Sequence, residues 1–111
     1  MTPARESGII HVMEVQFFSD DLDRLEVDVG YTAGLGQALV KAYRRKINII
    51  RQAGDERVFY ALKSLHFEKL EGKRKHQHSM RLNDQYRLVL ELIDGNPTGK
   101  VAKIIGIEDY H

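Results

Sequence analysis

The chain has 111 residues and no cysteine. That absence excludes disulfides, thiol catalysis and cysteine-ligated zinc. No apolar run approaches the roughly 20 residues needed to cross a bilayer. The N-terminus carries no continuous apolar segment of the kind a secretory signal needs. A cytoplasmic protein without a membrane role is therefore expected. The usual catalytic signatures are missing as well: there is no Gly-rich phosphate loop, no G-x-S-x-G, no H-E-x-x-H and no carboxylate pair with an evident purpose. The length suits one domain with one modest core.

What is present is an uneven distribution of charge. The net charge is only +1. Between Lys63 and Arg87, however, Lys63, Lys69, Lys73, Arg74, Lys75, Arg81 and Arg87 face only Glu68, Glu71 and Asp84, a local balance of +4 against −3 for the rest. His66, His76 and His78 fall in the same span. A local basic patch on a near-neutral protein suits a polyanion such as RNA or DNA. A solvated surface of scattered Lys and Arg is the alternative.

The strongest local pattern runs from Gln77 to Leu90. Apolar and polar residues alternate on both sides of Asn83-Asp84, which predicts a β-hairpin. A two-residue loop would set Leu82 opposite Gln85. A three-residue loop (Asn83, Asp84, Gln85) pairs Leu82 with Tyr86 and Met80 with Leu88, and so keeps one face apolar. That register gathers Ser79, Arg81 and Arg87 on the opposite, polar face. Adjacent guanidiniums repel unless an anion sits between them, so this face is a candidate anion site.

The rest of the chain supplies layers for the hairpin to pack on. Residues 1–12 have no clear period and read as a disordered lead, with Met13 an alternative start. Met13 to Phe18 alternates as a strand. Ser19 or Asp20 caps a short helix to about Asp28. After a glycine-rich loop, Leu35 to Gln52 forms the strongest helix, with Leu39, Tyr43, Ile47 and Ile50 on one stripe. Lys41, Arg44, Arg45 and Arg51 lie off it and form a basic outer face, expected to be solvated, with nucleic-acid contact as the alternative. Asp55 or Glu56 opens another short helix carrying Val58, Phe59 and Leu62. A basic loop from Leu65 to His76 turns at Gly72. A turn at Asp94-Gly95-Asn96-Pro97-Thr98-Gly99 leads into a buried-type strand from Lys100 to Ile107. The fold class is α+β, a small antiparallel or mixed sheet against two to three N-terminal helices in a single domain over residues 13–111.

Several polar residues are suited to chemistry. Asp109-Tyr110-His111 offers an acceptor, a phenol and an imidazole that titrates near neutral pH. Its alternative is a packed Tyr110 and a solvated His111. His66 and Lys69, three apart, share one side of a turn, where one moves protons and the other neutralises a phosphate; alone they also read as a surface histidine beside a solvated lysine. His76 and His78 share a face if extended, but no third zinc ligand accompanies them. His, Lys, Arg and Asp without a metal motif permit cleavage of RNA by its own 2′-hydroxyl.

Read together, Leu65-His66 with Lys69, Leu70-Glu71-Gly72, Gln77 to Arg87 and the terminal Glu108-Asp109-Tyr110-His111 resemble the HigB-type toxins of the RelE/ParE toxin–antitoxin superfamily over about Met13 to His111. The resemblance implies an endoribonuclease that cleaves mRNA on the translating ribosome without metal or cofactor. It implies His66, Lys69, Arg87, Asp109 and His111 as catalytic positions. Ser79, Arg81, Tyr110, Lys73 and Arg74 are the residues expected to contact substrate. The partners implied are a cognate helix-turn-helix antitoxin of the HigA type, the ribosome and its mRNA, and operator DNA through the antitoxin complex. Two competing functions are a ParE-like gyrase poison, which would not need the His66, Lys69, Asp109 and His111 set, and a decayed module that retains only antitoxin binding.

Overall fold

The computed structural model describes residues 13–94 and 100–110. The expected lead over 1–12, most of the turn after Asp94 and His111 lie outside the described residues. Strand β1 (Glu14–Phe17) is followed by helices α1 (Asp20–Val27), α2 (Gln37–Gln52) and α3 (Arg57–Ala61). Strands β2 (Glu68–Lys69), β3 (Gln77–Arg81), β4 (Tyr86–Asp94) and β5 (Lys100–Asp109) complete the described chain. They form a sheet in the order β1-β5-β4-β3-β2. β1 lies parallel to β5 and every other pairing is antiparallel, so the expected α+β class with a mixed sheet is what forms.

Local chemistry accounts for the helices. Ser19 caps α1 through its side-chain oxygen, which accepts from the Leu22 N–H, and Asp20, Asp21 and Asp23 place negative charge at the positive end of the helix. The stripe on α2 is buried as its spacing predicts: Leu39, Tyr43, Ile47 and Ile50 all face inward. Tyr43 can be fully buried because its hydroxyl donates to the Leu22 carbonyl at 2.7 Å. The expected solvated basic face of α2 is only half realised. Lys41 and Arg45 are exposed. Arg44, by contrast, donates to the carbonyls of Leu25, Asp28 and Tyr31 at 2.9, 2.9 and 3.1 Å. Arg51 makes two 2.7 Å bonds to Glu26. A guanidinium with five donors suits carbonyls left over at a helix C-terminus, and α1 ends where Arg44 reaches.

The sheet offers its apolar side to these helices. Met80, Leu82, Leu88, Leu90, Ala102 and Ile104 form one core with the α2 stripe, Leu25, Phe59 and Leu65. The hairpin takes the three-residue register: Met80 lies opposite Leu88 and Arg81 opposite Arg87, and the Leu82 N–H donates to the Tyr86 carbonyl at 2.9 Å. Asn83 makes the turn, its side-chain oxygen accepting from the N–H groups of Gln85 and Tyr86. The span from Leu65 to His76, expected as a loop, contributes the edge strand β2, with Glu68 opposite Ser79 and Lys69 opposite His78. Gly72 sits at φ +68°, left-handed geometry that glycine adopts without strain.

One irregularity matters for function. Val89 pairs with Gly106, but Leu90 pairs with Ile104, so Ile105 is an extra residue in β5. A bulge of this kind reverses which face the following side chains take. Ala102 and Ile104 point at the helices before it, and Ile107 does so after it. Glu108 is thereby delivered to the face that the helices leave open.

Candidate functional site

Strand parity sorts the candidate residues. On the open face, Arg81 and Arg87 are paired across β3 and β4, and Arg87 is paired with Glu108 across β4 and β5. Ser79 shares that parity but is only 3% exposed, so it packs beneath the polar layer. Arg81 forms an ion pair with Asp84 in the turn. Arg74, on the 3₁₀ turn Gly72–Arg74, lays its guanidinium across the same face. Two of its nitrogens donate to the Glu108 carboxylate at 2.8 and 2.6 Å, and its Nε donates to Gln77 at 2.9 Å. Gln77 in turn donates to Glu91 at 3.2 Å, beside which His76 lies at 3.5 Å. Lys73, one residue before Arg74, is exposed.

Arg87 is the unusual member. Its side chain is 20% exposed, and Nη2 stands 3.9 Å from Glu108. Its Nε is buried without a hydrogen-bond partner. Its guanidinium carbon lies 5.4 Å from the centre of the Tyr110 ring. A half-buried guanidinium with donors to spare is a ready seat for an anion, and the Tyr110 ring beside it is a surface on which a base can stack. Tyr110 is held there from the hairpin turn: its N–H donates to the Gln85 carbonyl at 2.8 Å, and the Gln85 side chain donates to Asp109 at 3.0 Å. The Arg74 hydrogen bonds hold the Glu108 carboxyl below its ordinary value, outweighing the opposing effect of burial.

The remaining candidates sit at the margins. Lys69 and Asp109 have the parity of the helix side, Lys69 on the edge strand and Asp109 at the end of β5, and both are exposed. His66 is exposed just before β2 and holds a left-handed backbone at φ +47°, uncommon for a residue with a side chain. His78 also lies on the helix side, stacked on Phe67 at 4.9 Å with its Nδ1 buried and unpartnered. Burial, with help from the Lys69 charge and against that of Glu56, pushes its imidazole pKa down. His76 and His78 thus point to opposite faces, His76 toward Glu91, rather than to a common metal. Among the described residues no three metal-ligating side chains are grouped.

A family model for HigB-like toxins, described as the RelE-like toxin of type II toxin–antitoxin system HigB, matches residues 15–102. The chain belongs to the HigB-like toxin family. No curated protein matches it at the sequence level. Its fold is shared with solved toxin structures. A YoeB/ParE toxin from Agrobacterium tumefaciens superposes with a TM-score of 0.58 at 15% identity, covering 89% of this chain and all of that one. The YoeB–YefM complex from Staphylococcus aureus gives 0.55 at 19% identity, covering 89% and 97%. At these identities the likeness concerns fold alone. No described helix of this HigB-like toxin is long and apolar enough to cross a membrane.

Sequence reasoning singled out Arg87 and Tyr110, and the structure places them together. It also named Arg74, which spends its guanidinium on Glu108 and Gln77. It passed over Glu108, the carboxylate between Arg74 and Arg87. A signal was present: Ile104-Ile105 interrupts the alternation of β5, which marks a bulge and reverses the face that Glu108 takes.

Proposed function

We propose that this toxin is an endoribonuclease that cleaves mRNA on the translating ribosome and so inhibits translation. The observation that supports this reading most is the open sheet face, where the half-buried Arg87, with its buried Nε unpartnered, lies beside Tyr110. In this reading Arg87 seats the scissile phosphate and stabilises the charge that builds on it as the 2′-hydroxyl attacks. Tyr110 stacks on a neighbouring base, and Arg81 and Lys73 extend the positive track along the backbone. His66 and His111 share proton transfer, and Asp109 orients or assists from the end of β5, while Lys69, on the edge strand with helix-side parity, reaches the phosphate around the sheet edge. No metal takes part in this chemistry. The ribosome supplies the positioning that so small a surface cannot supply alone.

The partner in this reading is a cognate HigA-like helix-turn-helix antitoxin, through which the pair binds operator DNA. The type II toxin–antitoxin family and the YoeB–YefM complex among the similar structures support a protein partner. Pulse labelling after expression without antitoxin tests the function. Amino-acid incorporation into protein should stop before thymidine incorporation into DNA. The reverse order would make the chain a gyrase poison.

A further inference from the structure

The bulge at Ile105 places a carboxylate where an anion-binding face has no evident use for one. Glu108 is not a weakly held surface group. Arg74 grips it at 2.8 and 2.6 Å, while Arg87 stands back at 3.9 Å. One oxygen, Oε1, thus lies 2.8 Å from Arg74 and 3.9 Å from Arg87. A charge-assisted guanidinium–oxyanion bond closes to about 2.7–2.9 Å. The Arg74 contact is therefore made in full, and the Arg87 contact is a long ion pair that a better acceptor can replace.

We propose that Glu108 is a built-in stand-in for the RNA phosphate: it holds Arg87 in place while the site is empty and yields Arg87, but not Arg74, to the phosphate that arrives. Arg74 is then a positioning residue that keeps the carboxylate from following Arg87. The inference rests on the reading that the open face binds RNA, and it assigns that binding a cost. Each RNA that enters must displace one long ion pair and sit beside a retained negative charge. A monoanionic internal phosphodiester meets less repulsion there than a dianionic terminal phosphate, so the arrangement favours internal positions over chain ends.

The test is a double-mutant cycle on the full chain. The probe is a short fluorescent single-stranded RNA carrying 2′-O-methyl groups, which lacks the attacking hydroxyl and cannot be cleaved by that route. Binding is followed by anisotropy across a salt series for wild type, Glu108→Gln, Arg87→Met and the double variant, with thermal melts recorded alongside. Glu108→Gln should bind about tenfold more tightly with little change in the log–log salt slope, because Arg87 engages the same phosphate in both proteins, whereas Arg87→Met should flatten the slope by about 0.7, the decrement for one phosphate lost on a single strand. In the Arg87→Met background the same change should give no such gain, because Glu108 acts through Arg87. An equal gain in both backgrounds would reduce Glu108 to a general surface charge, and no gain in either would also overturn the inference. Glu108→Asp, which keeps the charge but withdraws it by one methylene, should fall between wild type and Glu108→Gln, and serves if Glu108→Gln melts early. If wild type and Arg87→Met bind the probe equally, the RNA-binding reading of this face fails and the inference falls with it. If Arg87 matters and Glu108 does not, only the inference falls.

Discussion

Replacing Arg87 with methionine should move stability and activity in opposite directions. The change keeps the aliphatic stem and removes the guanidinium. What the folded protein loses is an ion pair at 3.9 Å, a kind of contact worth about 0–1 kcal/mol, and the contact of its guanidinium with the Tyr110 ring, worth about 0.5–1 kcal/mol. What it sheds is a buried Nε without a partner, a defect that costs about 1–3 kcal/mol. The fold should therefore stay within about 1 kcal/mol of wild type or become more stable by up to about 2 kcal/mol in urea melts. The reaction loses a pre-placed donor to the phosphate, a change worth about 10²–10³ in rate, or roughly 3–4 kcal/mol of transition-state stabilisation. Cleavage is read as new 5′ ends on mRNA in a reconstituted translation reaction. Opposite signs from one substitution identify a residue retained for chemistry at the expense of stability. Cleavage within about tenfold of wild type would refute the assignment. So would a loss of activity matched by more than about 1 kcal/mol of destabilisation, because Arg87 would then be structural.

Three further outcomes follow from the same geometry. Arg44→Met should cost about 2 kcal/mol in urea melts, because two carbonyls at the end of α1 (Leu25 and Asp28) and the Tyr31 carbonyl in the following loop lose a charged donor, whereas Arg45→Met on the exposed side of α2 should change stability by less than about 0.5 kcal/mol. His66→Gly should leave stability unchanged or raised by up to about 1 kcal/mol, since glycine relieves the left-handed backbone, while cleavage falls by about 10²–10⁴ through loss of a proton-transfer group; unaltered cleavage would remove His66 from the mechanism. Arg74 holds the Glu108 carboxyl below the ordinary value of 4.5, so the stability this pair contributes is complete above that pH and lost as pH falls through the lowered value; wild type should lose its margin over Glu108→Gln on acidification below pH 4.5, and a margin constant with pH would contradict the ion pair.

Much of this architecture was legible because periodicity reports directly on burial. The α2 stripe, the Ser19 cap and the three-residue hairpin register each follow from one rule, that apolar faces meet and turn residues keep their geometry. The parts that were not legible depend on contacts distant in sequence. Arg44 and Arg51 read as solvated because nothing nearby reveals that the carbonyls of α1 and the Glu26 carboxylate wait for them. The edge strand β2 is two residues long, too short to show a period. The site was half legible. Adjacent guanidiniums at Arg81 and Arg87 implied an anion between them; instead each has its own carboxylate on its outer side, Asp84 in the turn for Arg81 and Glu108 on β5 for Arg87. Which carboxylate reaches Arg87 depends on the bulge at Ile105, visible in sequence only as a doubled isoleucine.

The central claim is that the open sheet face, with Arg87 at its centre, cuts RNA. Primer extension on mRNA carried by programmed ribosomes, with wild type and Arg87→Met side by side, tests it most directly. New 5′ ends with wild type that vanish with a stably folded Arg87→Met are predicted. A wild-type protein that still arrests growth but leaves the mRNA whole would contradict the claim.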